Sequence, residues 1–277
     1  MPQLTHNEAA MDEYRNANRS LWDEWANINA NSKLYRLDEF RAGQNKLDAL
    51  VTGELGPVQG QSLLHLQCHF GMDTLSWARL GASVTGVDFS PEAINLATRL
   101  SQELNIPARF ICSELYDLPA HLDEQFDIVY TSYGVLTWLP DIRGWAQLVA
   151  RYLRPGGVFY IAEFHPFAMV FSDAVSEARW QVDYDYFDSS PMAFPVQGSY
   201  ADHTAEVKQT TSYEWQHTLG DIVTALIDAG LTIEFLHEHD FTVYEMYPFV
   251  TRAEDGYWRL PPGLPRLPLM FSLRAHR

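Results

Sequence analysis

The sequence predicts a doubly wound α/β fold, a mostly parallel sheet with helices on both faces. Three observations carry that reading. Short apolar runs alternate with amphipathic helical stretches from Ser62 to Ala162, an aromatic-rich segment of about fifty residues interrupts them, and the same rhythm returns from Leu219 to Ala275. Strands separated by helices at this spacing pair in parallel, because each crossover helix carries the chain back to the end where the previous strand began.

The elements follow in order. Residues 7–30 read as a helix with Tyr14, Leu21, Trp22, Trp25 and Ile28 on a broadly apolar side, and helical pieces continue from Leu37 to Leu50 until Gly53, Gly56, Pro57 and Gly60 stop them. Residues 1–55 are therefore expected to form an N-terminal helical cap. Leu63-Leu64-His65-Leu66 is the first strand, apolar enough to be buried on both faces. A helix from Met72 to Leu80 leads to the second strand, Ala82 to Val87. Ser90-Pro91 then opens a helix as N-cap and first-turn proline, with Ala93, Ala97, Leu100 and Leu104 on its inner face. Arg109–Cys112, Phe126–Tyr130 and Val158–Ala162 are the third to fifth strands. Between the last two, Trp145, Leu148, Val149, Tyr152 and Leu153 make a helical stripe. Residues 164–215 form an aromatic insertion with the partial alternation of short antiparallel strands. Leu219, Ile222, Val223, Leu226 and Ile227 mark the last helix, and Leu231–Asp240 and Leu269–Ala275 the last strands.

Composition narrows the function. The 277 residues hold 19 Lys plus Arg against 36 Asp plus Glu, a net charge of −17. Such a surface repels phosphate backbones, which argues against nucleic acid and anionic membrane as partners. Two cysteines, Cys68 and Cys112, make neither a disulfide framework nor a zinc cage. With no basic start before an apolar run, and no stretch near the ~18 apolar residues of a spanning helix, the expected location is cytoplasmic.

In a doubly wound sheet, ligands bind beyond the carboxyl ends of the strands. The turn after the first strand reads His65-Leu66-Gln67-Cys68-His69-Phe70-Gly71, and Asp88 closes the second strand, where a carboxylate can accept hydrogen bonds from ribose hydroxyls. The chain here resembles the class I S-adenosylmethionine-dependent methyltransferases, strongly over residues 60–165 and more weakly over 216–277. The resemblance rests on this loop, on Gly86-Val87-Asp88-Phe89-Ser90-Pro91-Glu92-Ala93-Ile94, on Glu114-Leu115-Tyr116-Asp117-Leu118-Pro119, on Phe126-Asp127-Ile128-Val129-Tyr130, on Leu139-Pro140-Asp141, and on Leu153-Arg154-Pro155-Gly156-Gly157. Their order and spacing carry it together.

The resemblance implies a single methyltransferase-like domain over 1–277 with a seven-stranded sheet whose last strand is antiparallel, and S-adenosylmethionine as cofactor. It places Gly71 and its loop against the methionine part, Asp88 on the ribose, Phe89 on the adenine, and Ser113, Glu114 and Leu115 along the adenine edge. Thr131 to Tyr133 would face the methyl group, making Tyr133 a candidate catalytic residue. The family usually has an acidic residue at position 65, glycines at 67 and 69, and aspartate at 114; this chain has His65, Gln67, His69 and Glu114. Gln67 and His69 must therefore turn away or contact the cofactor's amino-acid end, and His65 is counted with the cofactor-binding residues.

Other groups were weighed against plainer roles. His165 leaves the fifth strand at its carboxyl end, where a histidine can serve as general base or simply hold structure. His237-Glu238-His239-Asp240 is expected to be polar residues at a strand end rather than a metal site. Asp183-Tyr184-Asp185-Tyr186 reads either as a half-exposed strand or as a wall for a cationic acceptor. The insertion is expected to be a lid over the acceptor pocket, the rival reading being a dimerisation arm in a homodimer. The expected function is methyl transfer to a small-molecule acceptor. The rivals are a non-catalytic or repurposed nucleoside binder and, third, a nicotinamide oxidoreductase, whose Gly-x-Gly-x-x-Gly turn is absent.

Overall fold

The computed structural model describes residues 8–171 and 180–277. The start of the predicted cap, including Asn7, and residues 172–179 of the predicted insertion lie outside them. In chain order the elements are α1 (Glu8–Ala30), α2 (Leu37–Arg41), α3 (Ala49–Leu55), β1 (Ser62–Leu66), α4 (Met72–Arg79), β2 (Ser83–Asp88), α5 (Pro91–Leu104), β3 (Arg109–Cys112), β4 (Phe126–Ser132), α6 (Ile142–Tyr152) and β5 (Leu153–Phe164). There follow β6 (Met192–Pro195), β7 (Thr211–Glu214), α7 (Leu219–Asp228), β8 (Thr232–His239), β9 (Phe241–Thr242), β10 (Thr251–Arg252), β11 (Trp258–Arg259) and β12 (Met270–His276). The main sheet has seven strands in the order β3-β2-β1-β4-β5-β12-β8, as the doubly wound reading requires. β12 runs antiparallel to both its neighbours. The expected antiparallel last strand is thus present.

The chain divides into two compact units, residues 1–128 with 191–214 and residues 129–190 with 215–277. In the first, β1, β2 and β3 pair in parallel, with His65 opposite Gly86 and Asp88 opposite Cys112. Ser90 caps α5 as predicted, its hydroxyl accepting the Ala93 N–H at 3.0 Å. The helical pieces expected from Leu37 onward are two helices, the second running on to Leu55 rather than ending near Leu50. Asp48 starts the second by accepting the Leu50 N–H at 2.8 Å, and α3 then runs through Gly53. Side-chain capping offers the backbone at 48 a better solution than continuing from α2.

The β6–β7 hairpin belongs to this first unit and is clasped to α1. Asn18 donates to the Tyr213 carbonyl at 2.7 Å and accepts the Tyr213 N–H at 2.9 Å. Glu24 accepts the N–H groups of Lys208 and Gln209 at 2.7 and 3.0 Å, and the Trp25 indole donates to the Gly198 carbonyl at 2.8 Å.

In the second unit β12 pairs with β5, Phe271 opposite Glu163, and with β8, Phe271 opposite Glu238. α6 buries Trp145, Leu148, Val149 and Tyr152, as its stripe predicts, and α7 buries Ile222 and Leu226 but leaves Ile227 54% exposed. The first part of the aromatic insertion packs here: Ala168, Val170 and Phe171 form a cluster with Tyr247, Val250 and Leu269, and Trp180 lies against it. β9, β10 and β11 make a small antiparallel sheet that periodicity does not reveal.

Candidate functional site

The loop after β1 decides what the first unit can hold. Gln67, His69 and Gly71 all take left-handed backbone, at φ 55°, 52° and 76°. Positions 67 and 69 thus keep the conformation that glycine adopts freely, although each carries a side chain, at roughly 1–2 kcal/mol per residue. Hydrogen bonds hold the strained path. The Cys68 N–H donates to the Val87 carbonyl at 2.8 Å, and the His69 N–H donates to Asp88 Oδ2 at 2.8 Å. Gly71 cannot be replaced for a second reason: a Cβ there would stand 2.8 Å from Ala97 Cβ and the Phe110 ring.

Asp88 is buried at the end of β2, and its Oδ1 accepts the Ser90 N–H at 3.0 Å. Burial raises its pKa to about 6, against the backbone N–H groups of Ser90, His69 and Phe89, while Asp23 adds like-charge repulsion. His65 points from β1 to Thr74, its Nδ1 2.8 Å from the hydroxyl, and burial lowers its pKa to about 3. It is a neutral residue in the core, where an acidic one was the family expectation. Ser113 donates its N–H to the Asp88 carbonyl at 2.9 Å and its hydroxyl to the Glu114 carbonyl at 2.8 Å. Glu114 accepts the Tyr116 N–H at 2.7 Å, and burial raises its pKa. Leu115 is buried and Phe89 half-buried. The first unit therefore brings His65, Gln67, His69, Gly71, Asp88, Phe89, Ser113, Glu114 and Leu115 to the carboxyl ends of β1, β2 and β3.

α1 and neighbouring aromatics cover this edge, which sequence reasoning only partly located. Asp23 accepts the Ser90 hydroxyl at 2.5 Å, and Arg15 lies 4.0 Å from Glu114. The Trp22 ring meets the His69 ring edge-on at 5.2 Å. The Tyr35 hydroxyl lies 3.3 Å from His69 Nδ1 and bonds the Tyr200 hydroxyl. Burial lowers the His69 pKa to about 3, so the ring is neutral. Its Nε2 is buried and has no hydrogen-bond partner among the described residues. These residues fit S-adenosylmethionine on two counts. The Asp88 carboxylate keeps acceptor capacity for ribose hydroxyls beyond the N–H groups it holds, and the orphaned His69 nitrogen offers a polar contact to an amino-acid end.

The second unit contains a hollow lined by its own residues. Thr131 is fully buried in β4. Tyr133 follows with φ 43°, its N–H donating to the Ala162 carbonyl at 2.9 Å, and Gly134 has φ 69°. Glu163, at the end of β5, accepts the N–H groups of Gly134, Val135, Leu136 and Phe164, the second and fourth at 2.7 Å and the third at 3.1 Å. Beside this turn opens a small hollow, lined by Thr137, Phe164, Met169, Trp215, Gln216 and His217 among others. None of these was a candidate site residue in the sequence, although Phe164, Met169 and Trp215 fall within the 164–215 segment expected to cover an acceptor pocket.

His165 does not line that hollow. Its Nδ1 accepts the Phe167 N–H at 3.1 Å and its Nε2 bonds Glu238 at 2.9 Å, so both nitrogens are engaged. Glu238 is spoken for in the same way, His239 bonds the Ser272 hydroxyl at 2.9 Å, and Asp240 pairs with Arg266. No cluster of metal-binding side chains occurs among the described residues. Asp183 and Asp185 are exposed and not part of the hollow's lining. No helix among the described residues is long and apolar enough to cross a membrane.

Comparison with known proteins bears on the family and the fold. Residues 64–161 match the family model of a methyltransferase domain. An uncharacterized methyltransferase of Synechocystis sp. is 30% identical over 151 residues, covering 50% of this chain and 68% of that protein. A ubiquinone biosynthesis O-methyltransferase of Xanthomonas oryzae pv. oryzae is 31% identical over 121 residues, 44% of this chain and only 50% of that relative. Among solved structures, an S-adenosylmethionine-dependent methyltransferase from Mesorhizobium loti superposes with a TM-score of 0.59 at 23% identity, covering 86% of this chain and all of that one (100%). The glycopeptide N-methyltransferase MtfA, solved with S-adenosyl-L-methionine, gives a TM-score of 0.52 at 18% identity over 82% of this chain and 91% of that one. These two share the fold. With a relative matched over most of its length and the loop, strand-end carboxylate and strand order all in place, the chain belongs to the class I S-adenosylmethionine-dependent methyltransferases.

Proposed function

We propose that this enzyme methylates a hydroxyl group on a small, neutral aromatic acceptor bound in the hollow of the second unit. The observation that carries the proposal is the lining itself. Phe164, Trp215 and Met169 offer apolar, ring-sized contact, while Thr137, Gln216 and His217 are few enough to orient rather than to solvate. The only carboxylate in the lining, Glu163, has its oxygens filled by four backbone N–H groups, so nothing there selects a cation. The O-methyltransferase relative supports an oxygen acceptor.

The bound cofactor supplies an electrophilic methyl group on a sulfonium. The chain's part is to hold and align. Asp88 accepts the ribose hydroxyls, Phe89 and Leu115 pack on the adenine, and the loop at 67–71 takes the amino-acid end. Thr131 and Tyr133 mark the end of β4, and the apolar lining of the hollow holds the acceptor in place, which matters because alignment does most of the work in methyl transfer.

The test is a transfer assay with S-adenosylmethionine against catechol, 4-nitrocatechol, a panel of other small phenols, and matched aromatic amines and thiols. Methyl ethers are expected. Trp215→Ala should raise KM for the phenol and leave S-adenosylhomocysteine affinity unchanged. Products from amines or thiols alone would overturn the oxygen reading.

A further inference from the structure

We propose that His217 is the general base that takes the proton from the acceptor hydroxyl, through its Nδ1. The inference rests on the hydroxyl-acceptor reading above and deepens it. Its starting point is one hydrogen bond: His217 Nε2 lies 2.7 Å from the Leu139 carbonyl oxygen. A carbonyl can only accept, so Nε2 carries the ring proton and Nδ1 keeps its lone pair. No hydrogen bond among the described residues reaches that Nδ1, and the residue lines the hollow beside Thr137, Phe164 and Trp215.

Three features suit the ring to this work. The Leu139 bond fixes its orientation, as the partner of a catalytic imidazole must. Its side chain is buried, which lowers its pKa and keeps it neutral at physiological pH. Two carboxylates act on it from the flanking elements, Asp141 before α6 and Asp221 in the first turn of α7, and both favour the charged ring once a proton arrives. His165 is arranged the opposite way. The Phe167 N–H occupies its Nδ1 lone pair, so its Nε2 carries the proton toward Glu238 and nothing is left to accept one.

The step balances. The acceptor O–H bond breaks with its proton going to His217 Nδ1, and the oxygen pair forms the new O–CH3 bond. The S–CH3 bond of the sulfonium breaks, its electron pair staying on sulfur, which leaves the neutral thioether S-adenosylhomocysteine and a histidinium. The histidinium then loses its proton to solvent.

The experiment compares His217→Gln with the wild type on catechol, whose hydroxyls are protonated near neutral pH, and on 4-nitrocatechol, which is already largely ionised there. Affinity for S-adenosylhomocysteine is measured by calorimetry alongside. A base should make the variant lose about 10²–10⁴-fold in kcat on catechol. The loss on 4-nitrocatechol should be less than about tenfold, because no proton remains to be taken, and cofactor affinity should not change. The acid limb of the wild-type kcat profile on catechol should vanish in the variant. Equal losses on both diols, or none, would overturn the base role while leaving the acceptor reading intact. If the wild type methylates amines or thiols but neither diol nor any phenol of the panel, the acceptor reading fails and the base role falls with it.

Discussion

The Asp88 carboxylate accepts the backbone N–H of His69 at 2.8 Å, so the residue assigned to the ribose also pins the strained loop assigned to the amino-acid end. A single group thereby couples the two halves of the proposed cofactor site. Its second oxygen holds the Ser90 N–H at 3.0 Å, at the start of α5.

A pH dependence of cofactor affinity follows. The Asp88 pKa is raised to about 6 by burial. Ribose hydroxyls donate, so the ionised form binds them better, and S-adenosylhomocysteine affinity should rise as pH increases through about 6. Stability moves the other way. Between the ordinary carboxylate range and about 6 the folded chain holds a proton that the unfolded chain has released, so this contribution favours folding at low pH and is lost as pH rises through about 6. Asp88→Asn should weaken S-adenosylhomocysteine by roughly ten- to a hundredfold and flatten the binding profile in isothermal titration calorimetry. A slope that survives in the variant would move the titration to Glu114, whose carboxyl burial also raises.

The left-handed residues at 67 and 69 should respond differently to glycine. Replacement relieves roughly 1–2 kcal/mol of backbone strain at either position. The His69 ring, however, packs against Trp22 at 5.2 Å, Tyr35 at 5.6 Å and Phe70 at 4.6 Å, contacts worth about 0.5–1.5 kcal/mol each. His69→Gly is therefore expected to lower the urea midpoint, and Gln67→Gly to leave it unchanged or raise it. A stabilised His69→Gly chain would show that the ring contributes nothing to the cover.

The hairpin clasp is open to a local test. Asn18 is buried and makes both hydrogen bonds to the Tyr213 backbone, at 2.7 and 2.9 Å. Asn18→Ala removes both partners of that half-buried N–H and carbonyl, which costs about 0.5–1.5 kcal/mol per hydrogen bond. Amide exchange should quicken in β6 and β7 while β1 and β2 keep their protection. Uniform acceleration across the sheet would mean that the hairpin opens only with global unfolding.

What the sequence revealed, and what it hid, has a physical pattern. The strands β1, β2 and β4 were legible because burial on both faces demands continuous apolar runs, and Ser90-Pro91 announced α5 because capping is local chemistry. Gly43 and Asn45 between α2 and α3 agree with separate helical pieces, but where α3 begins depended on the Asp48 side chain. β9 to β11 have two residues each, too few for any alternation. The aromatic insertion was visible as such, but Tyr213 packing against Tyr14 in one unit and Trp180 against Tyr247 in the other look alike in a sequence. Positions 65, 67 and 69 stood out by departing from glycine and acid, yet that their backbone keeps the glycine path shows only in φ. His217 was invisible because its role hangs on the carbonyl of Leu139, 78 residues away.

The Tyr35 hydroxyl sits between the Tyr200 hydroxyl and His69 Nδ1, the latter at 3.3 Å, and this placement predicts how the loop reads its ligand. Burial raises the Tyr35 pKa, so it stays a donor at any working pH. When it donates to Nδ1, the neutral His69 ring carries its proton on Nε2, the buried atom without a partner among the described residues. That N–H is then the group offered to a carboxylate at the amino-acid end of the cofactor, with Tyr200 donating in turn to Tyr35. Removing the Tyr35 hydroxyl frees the ring to exchange tautomers, and removing the Tyr200 hydroxyl weakens the chain one step further back. Tyr35→Phe should therefore weaken S-adenosylhomocysteine about tenfold, the worth of one hydrogen bond to a charged group, with Tyr200→Phe costing less. Affinity for the adenosine fragment, which lacks the amino-acid end, should be untouched by either change. Nitrogen-15 shifts should place the His69 proton on Nε2 in the wild type and distribute it between the nitrogens in Tyr35→Phe. Equal losses for adenosine and S-adenosylhomocysteine would mean that these hydroxyls only brace the fold, and a wild-type ring protonated at Nδ1 would end the relay outright.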